Sequence, residues 1–350
     1  MFIQYDHKGE PFMMDSRYSR QMLVSSIGKQ GQKKLNEASV LIVGGGALGS
    51  HMAEMCARMG ISQITILDRD YVDLSNLQRQ TLFTEEDVLN KEAKAFALEK
   101  HLKKINSSIK IEGMVADVNK QILEQYIHNI DIVLDCTDNF DTRFLINEVC
   151  ILHNKKWIFA SCAGTYGNVV PISPGKSACL DCLLANTPFF NGASCDLIGV
   201  QTTLIPFITS IQSSIMVKML IQQEEFDDYY FYQMDSWKLQ MNKFAVRRNK
   251  ECKSCVCKEF EHLNKAYTDE ATQLCGRDTV QFRTSLHEEA HFQQLVNYLD
   301  EHAISYKRNK FIVSFSYKDH PIVLFKDGRL LIHEVPDVKR AKKLYYQLFN

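Results

Sequence analysis

An apolar, β-branched run, Val40-Leu41-Ile42-Val43, leads straight into Gly44-Gly45-Gly46-Ala47-Leu48-Gly49-Ser50, and a helical pattern follows. Gly44, Gly46 and Gly49 occupy the G-x-G-x-x-G positions of a strand–loop–helix turn, the opening of a nucleotide-binding βαβ unit. Glycine suits such a loop because a Cβ would hinder both the turn and the approach of a phosphate to backbone N–H groups. The N-terminus of the following helix adds partial positive charge. The motif predicts a bound nucleotide and leaves the chemistry open; a dinucleotide cofactor is one occupant that fits.

The chain has 350 residues, enough for a large core and for two domains. A net charge of −1 gives no support for a nucleic-acid partner. No run of 18 apolar residues occurs, and the most apolar helical segment, Thr203 to Ile221, carries Gln212, Ser213, Ser214 and Lys218. Asp6, Lys8, Glu10 and Asp15 interrupt any signal-peptide core. Eleven cysteines without a secretion signal fit a reducing compartment, where thiols serve metals or catalysis rather than disulfides. These features predict a soluble cytoplasmic enzyme with no nucleic-acid and no membrane partner.

Residues 1–15 read as a loosely held leader. Arg17-Tyr18-Ser19-Arg20-Gln21 then precedes a helical segment expected to end near Gly28–Gly31. The pattern continues with a helix from Leu48 to Met59 stopped by Gly60, and a strand Ile64–Leu67 ending in Asp68-Arg69-Asp70. An acid at that strand end can accept hydrogen bonds from ribose hydroxyls. A helix from Lys91 to Ile105 follows, then strands Ile109–Val115 and Ile132–Asp135; the second strand ends in Thr137-Asp138-Asn139. After a helix and the strand Trp157–Ala160 the pattern turns antiparallel. A long apolar helix, 203–222, and two further strands close the unit. The expected architecture is α/β: a Rossmann-like, doubly wound, mainly parallel sheet with an antiparallel extension over 16–261, plus a small C-terminal α+β domain over 262–350. In the latter, a short strand, an amphipathic helix Glu288–Glu301, three strands and a last helix after Asp337 are expected, with Asp327-Gly328 as a hairpin turn.

Cys179-Leu180-Asp181-Cys182 and Cys252-Lys253-Ser254-Cys255 are two C-x-x-C pairs about 70 residues apart. Four thiolates make the closed tetrahedral site of structural zinc, and Cys257 is a spare. An iron–sulfur cluster can use the same ligands, but nothing else in the chain suggests redox work. Around the glycine loop, Asp68, Arg79, Lys94 and Asp138 form a second polar set. A nicotinamide-dependent oxidoreductase needs the loop and an acid but has little use for extra cations. A reaction at phosphorus does need them, with a carboxylate such as Asp138 to hold Mg²⁺.

Taken together, Arg17-Tyr18-Ser19-Arg20-Gln21, the glycine loop, Asp68-x-Asp70, Ser75-Asn76-Leu77-Gln78-Arg79-Gln80, Thr137-Asp138-Asn139 and the paired C-x-x-C knuckles resemble the MoeB/ThiF family, bacterial relatives of the ubiquitin-activating enzymes. The resemblance covers roughly residues 16–258, with six separated motifs in the family's order. The full length, with its segment Leu274-Cys275-Gly276-Arg277, is most similar to longer ThiF-type proteins of Gram-positive bacteria. It implies an adenylyltransferase: the terminal glycine carboxylate of a ubiquitin-like sulfur-carrier protein attacks the α-phosphate of Mg·ATP and pyrophosphate leaves. It assigns Asp68 to the ribose, Asn76, Arg79 and Lys94 to the phosphates, and Asp138 to Mg²⁺. It further implies a homodimer in which Arg20 enters the partner's site, and a sulfur donor of the cysteine-desulfurase type. The carriers are those of molybdopterin or thiazole synthesis, between which the residues do not decide. A nicotinamide-dependent oxidoreductase and a non-catalytic, zinc-stabilised scaffold binding a ubiquitin-like partner are the competing readings.

Two departures from the family pattern stand out. Leu89-Asn90-Lys91-Glu92-Ala93-Lys94 replaces a shorter Gly-x-Pro-Lys, so Lys91 rivals Lys94 as the phosphate lysine; Lys94 keeps the following helix in register. Cys195, in Gly192-Ala193-Ser194-Cys195-Asp196, matches a loop cysteine that some relatives use for sulfur transfer, although Asp196 disfavours its thiolate. The C-terminal domain is no rhodanese, since its single cysteine, Cys275, stands at the domain's start. Docking of the carrier or sulfur donor, and dimer or core packing, are both open to it.

Overall fold

The computed structural model describes residues 4–5, 11–12, 16–185, 198–264, 271–273, 278–282 and 288–349. Two short strands, β1 (Gln4–Tyr5) and β2 (Pro11–Phe12), pair antiparallel ahead of the main body. The body is built on an eight-stranded sheet. Its parallel strands are β3 (Ser39–Val43), β4 (Gln63–Asp68), β5 (Lys110–Val115), β6 (Ile132–Asp135) and β7 (Lys156–Ala163). Strands β8 (Tyr166–Ile172), β9 (Tyr230–Asp235) and β10 (Gln240–Ala245) extend it antiparallel.

The spatial order is β10-β9-β8-β7-β6-β3-β4-β5. From β3 the chain winds outward through β4 and β5, then restarts on the other side at β6. That reversal leaves a crevice outside the carboxyl ends of β3 and β6, where open α/β sheets take their ligands. Register aligns Val43 with both Leu67 and Asp135, so three strand ends finish at one level. Val40 to Val43 are fully buried because helices cover both faces of the sheet, which explains an apolar run without alternation. The helices Ala47–Met59, Lys94–Ile105 and Leu204–Gln222 contribute to the core on one face, and Lys120–Ile127 and Phe140–Leu152 to that on the other.

Leu204–Gln222 is the one helix among the described residues long and apolar enough to cross a membrane. Here Ile208, Ile215, Met216 and Met219 lie in the core. Its buried Gln212 donates from Nε2 to the Asp135 and Ile158 carbonyls, at 3.1 and 3.3 Å.

Three local expectations are corrected. Gly28 opens the helix Gly28–Glu37 instead of ending one; a four-residue helix, Ser19–Met22, precedes it. Inside that helix, a Cβ on Gly31 would stand 3.0 Å from Ile221, so this glycine permits close helix packing. The helix expected from Lys91 begins at Lys94, since Lys91 is left-handed (φ 49°) and Ala93 extended. In the C-terminal part four strands, not three, follow the helix Glu288–Glu301: β13 (Tyr306–Arg308), β14 (Ile312–Tyr317), β15 (His320–Phe325) and β16 (Leu330–His333). Strand β13 is a short polar edge and therefore lacks an apolar signature.

With β11 (Thr272–Gln273) and β12 (Thr279–Phe282) these strands make a second, antiparallel sheet in the order β11-β12-β16-β15-β14-β13. Alternation divides its faces. Val313, Phe315, Leu324, Leu330 and Ile332 pack with the helices Glu288–Glu301 and Val338–Phe349. Ile312, Val323, Phe325 and Leu331 pack instead with Tyr71, Val115 and Phe311, so the second sheet lies against the first body.

Candidate active site

The loop glycines do different work. Gly44 has φ 94°, and a Cβ there would stand 2.6 Å from the Cys136 carbonyl oxygen. A Cβ on Gly49 would fall 1.8 Å from the Gly44 carbonyl oxygen, so the helix can close on its strand only without a side chain. At Gly46 the nearest atom is Gln80 Nε2 at 3.8 Å. The protein's own packing demands the first and third glycines; open space in front of the middle one leaves room for a ligand at a helix N-terminus.

Backbone hydrogen bonds and Asp68 hold the loop. Gly44 N–H donates to the Leu67 carbonyl (2.8 Å), Gly45 N–H to Asp68 Oδ2 (2.6 Å) and Asp70 N–H to Asp68 Oδ1 (2.7 Å). Burial pushes the Asp68 carboxyl above its usual value against the pull of Lys94, with neighbouring Asp70 adding to the rise. Each Asp68 oxygen keeps acceptor capacity beyond its backbone bond.

Facing the loop, the crevice wall carries Asp68, Arg69, Asp70, Arg79, Lys94, Asp117 and Asp138. Lys94, first residue of its helix and only 5% exposed, reaches Asp70 Oδ2 with its Nζ at 3.3 Å. Lys91 does not line the crevice; its ammonium lies over the Tyr71 ring, 4.8 Å from the centroid. Arg79 follows a turn closed by a reciprocal Asp73–Asn76 cap and donates to the Ser75 carbonyl (2.9 Å). Asn76 is buried and gives its Oδ1 to the Asp73 N–H, and it is not among the lining residues. Asp138 is exposed at the mouth, just before Asn139 caps the helix Phe140–Leu152. Arg20 is exposed and does not line this chain's crevice. Its neighbours are anchored: Arg17 donates to the Ile105 carbonyl (2.7 Å), and the buried Tyr18 hydroxyl accepts from Asn106 (2.9 Å). Cys195 and Cys275 lie outside the described residues.

Two pairs escaped the sequence reading. Arg69 stands 3.3 Å from Asp117, and both line the crevice; the position of Asp117 just beyond β5 was the available signal. Arg143 looks like a surface helix residue but is 4% exposed, with Nε 3.4 Å from the buried Asp135 and Nη2 donating to the Thr137 carbonyl (2.6 Å). Burial pushes the Asp135 carboxyl up, and Arg143 opposes that rise. Thr137 donates to Asp135 from both its N–H and its hydroxyl (2.9 and 2.6 Å), which fixes the strand end beside Asp138.

The four knuckle cysteines are brought together. Cys179, Cys182, Cys252 and Cys255 are buried with all four sulfurs within 4.8 Å of one another. Neighbouring sulfurs are 3.6 to 3.8 Å apart, close to the roughly 3.8 Å edge of a tetrahedron with 2.3 Å metal–sulfur bonds. The Cys179 thiol and the Asn249 N–H hold the Cys182 thiol below its usual value. Cys257 is exposed and outside the cluster. The cluster can hold a metal ion with no coordination position left open. The crevice is built differently, with an open glycine loop, three cations and an exposed carboxylate suited to a nucleoside polyphosphate.

Comparison with known proteins finds relatives by sequence and by fold. The ThiF family profile matches residues 18–255. The chain is 38% identical over 336 residues to the sulfur carrier protein ThiS adenylyltransferase of Bacillus subtilis, covering 95% of this chain and 99% of that protein. It is 30% identical over 245 residues to the sulfur carrier protein adenylyltransferase of Thermus thermophilus, covering 68% and 90%. Among solved structures, E. coli MccB with ATP superposes with a TM-score of 0.60 at 24% identity, covering 69% of this chain and 75% of that one; this likeness concerns the fold.

Proposed function

This chain belongs to the ThiF family, and on that premise we propose that it is an ATP-dependent adenylyltransferase acting on a ubiquitin-like sulfur-carrier protein ending in Gly-Gly. One observation carries the reading: Lys94 and Arg79 face an open glycine loop whose mouth bears Asp138. A nicotinamide cofactor has little use for these extra cations. The carrier's terminal carboxylate oxygen attacks the α-phosphorus of ATP, the bond from that phosphorus to the bridging oxygen breaks, and pyrophosphate leaves. Lys94 and Arg79 offset phosphate charge as it shifts toward the leaving group, and Asp68 accepts from the ribose hydroxyls; Asn76, assigned to the phosphates by the family resemblance, instead holds the turn that carries Arg79. Asp138 would hold Mg²⁺, which supplies further charge neutralisation on the phosphates. The product is an acyl-adenylate that a sulfur nucleophile can attack.

Around this core the reading extends to a homodimer, with Arg20 of each chain serving the other's crevice, and to a cytoplasmic location. A sulfur donor of the cysteine-desulfurase type completes the partners, with Cys195 as the transfer thiol. The four cysteines would hold Zn²⁺ in a structural role. The ThiS carrier named for the Bacillus subtilis relative makes a ThiS-type protein the first carrier to test, with the molybdopterin synthase small subunit as the second.

Carrier-dependent exchange of labelled pyrophosphate into ATP tests the proposal. Exchange is expected with a Gly-Gly carrier, abolished in Asp138→Ala and retained in Cys195→Ala, because the thiol acts after adenylation. Absence of exchange with either carrier at saturating Mg·ATP would overturn the function; loss of exchange in a folded Cys195→Ala would overturn the order of steps.

A further inference from the structure

The C-terminal sheet rests on the two segments that build one wall of the crevice. Arg69–Tyr71 leaves the end of β4, residues 92–94 lead into the next helix, and a single bridge between Tyr71 and Ala93 joins them. Around that bridge Lys94 N–H donates to the Asp70 carbonyl (2.9 Å) and Val72 N–H to the Glu92 carbonyl (2.8 Å). This local pairing is what sets Asp70 against the Lys94 ammonium.

Arg329 of the β15–β16 hairpin braces the bridge from behind. It is 3% exposed and donates from Nη2 to the Arg69 carbonyl at 2.8 Å. Asp327 holds its Nε at 2.7 Å, and its guanidinium lies 4.2 Å over the Phe325 ring. Beside it the Tyr71 hydroxyl stands 3.1 Å from His333 Nε2. On the other side of the bridge Asn309 donates to the Asn90 and Lys91 carbonyls, at 3.2 and 2.9 Å. A buried guanidinium is costly unless its bonds are made. The interdomain bond made here fixes the backbone of Arg69, whose side chain lines the crevice.

We propose that Arg329 is a positioning residue for the nucleotide: the C-terminal unit sets the Arg69–Asp70 backbone, and through it the placement of Arg69 and Lys94 against the phosphates. The proposal rests on the reading of the crevice as an ATP site. It gives the C-terminal unit a role in nucleotide affinity rather than in carrier docking.

The test uses the full chain with Arg329→Met, which keeps the packing over Phe325 but removes the donors, Arg329→Lys, and the near-isosteric Asn309→Asp. Calorimetry with Mg·ATP alone gives affinity, and exchange assays separate KM for ATP, KM for the carrier and kcat. Arg329→Met is expected to weaken ATP binding by about fivefold or more, with the carrier KM unchanged. Arg329→Lys should recover part of the loss, and Asn309→Asp should show a smaller loss of the same kind. Should Arg329→Met fail to fold, Asn309→Asp decides. Unchanged ATP affinity in the folded variants, or a raised carrier KM with unchanged ATP affinity, would overturn the proposal. A wild-type chain that binds ATP but exchanges with no carrier overturns the adenylation reading alone, and the ATP affinities still decide for or against Arg329.

Discussion

A methyl group added at Gly49 meets the Gly44 carbonyl at 1.8 Å, whereas one added at Gly46 meets nothing nearer than 3.8 Å. The two alanine variants therefore separate folding from binding. Gly49→Ala forces the helix off its strand and should lower stability by about 3 kcal/mol or more. Gly46→Ala should cost at most about 1 kcal/mol yet weaken ATP roughly tenfold, because its Cβ enters the space proposed for phosphate. Urea midpoints and ATP calorimetry on both check this; equal loss of stability would refute the distinction. The motif itself is plain in the sequence, but this division of labour follows from where Cys136, Gln80 and the loop's own carbonyl lie, which only the fold supplies. Tyr18 makes the same point. It reads as part of a motif, and the reason for it is three-dimensional: Gly60 caps the helix in a left-handed turn and also leaves room for the Tyr18 ring, which a Cβ would meet at 2.4 Å.

The helix Lys94–Ile105 shows why element boundaries near the site were harder to read than the elements. Asn90 and Lys91 carry no glycine or proline to announce a break, yet Lys91 turns left-handed and the helix begins three residues later. The short helix Glu85–Leu89 ahead of this junction opens on a capping box, Thr84 with Asp87. Asp87 also accepts from His101 Nε2 at 2.8 Å, tying the short helix to the longer one that presents Lys94. Burial pushes the Asp87 carboxyl up, but the bonds from His101 and Thr84 outweigh it and hold the group below its usual 3.8. An acid whose folded value is depressed lends stability that is present above its unfolded value and lost as pH falls through the folded one. Asp87→Ala should thus cost about 1 kcal/mol at pH 7, and that difference should shrink as pH falls below 4. Urea midpoints of the two proteins at pH 7 and pH 3 measure it; a difference that grows toward acid would contradict the cap's role.

Across the whole molecule, the unbroken apolar runs of β15 and β16 state that both faces of the second sheet are covered without stating by what. One cover is its own helices and the other is the crevice wall, a pairing between residues more than 200 positions apart that no local pattern encodes. The cysteine knuckles were legible for the opposite reason, since short-range C-x-x-C spacing carries its own chemistry. Their place in the molecule gives them a mechanical consequence. The cluster packs on Ile151 at the end of the helix Phe140–Leu152, whose other end is capped beside Asp138, while Glu148 of that helix accepts from the His262 and Leu263 N–H groups. If the four thiolates hold Zn²⁺ as proposed, metal analysis should return about one zinc per chain. Stripping it with a strong chelator should lower Tm by roughly 10 °C or more. Pyrophosphate exchange per folded chain should stay unchanged, because a closed four-thiolate site has no open position for chemistry. Full exchange with an unaltered Tm would remove the metal from the fold, and exchange abolished in a chain that remains folded would make it catalytic. Between these outcomes the expected one treats the metal as a clasp on the helix that carries the site's exposed carboxylate at its head.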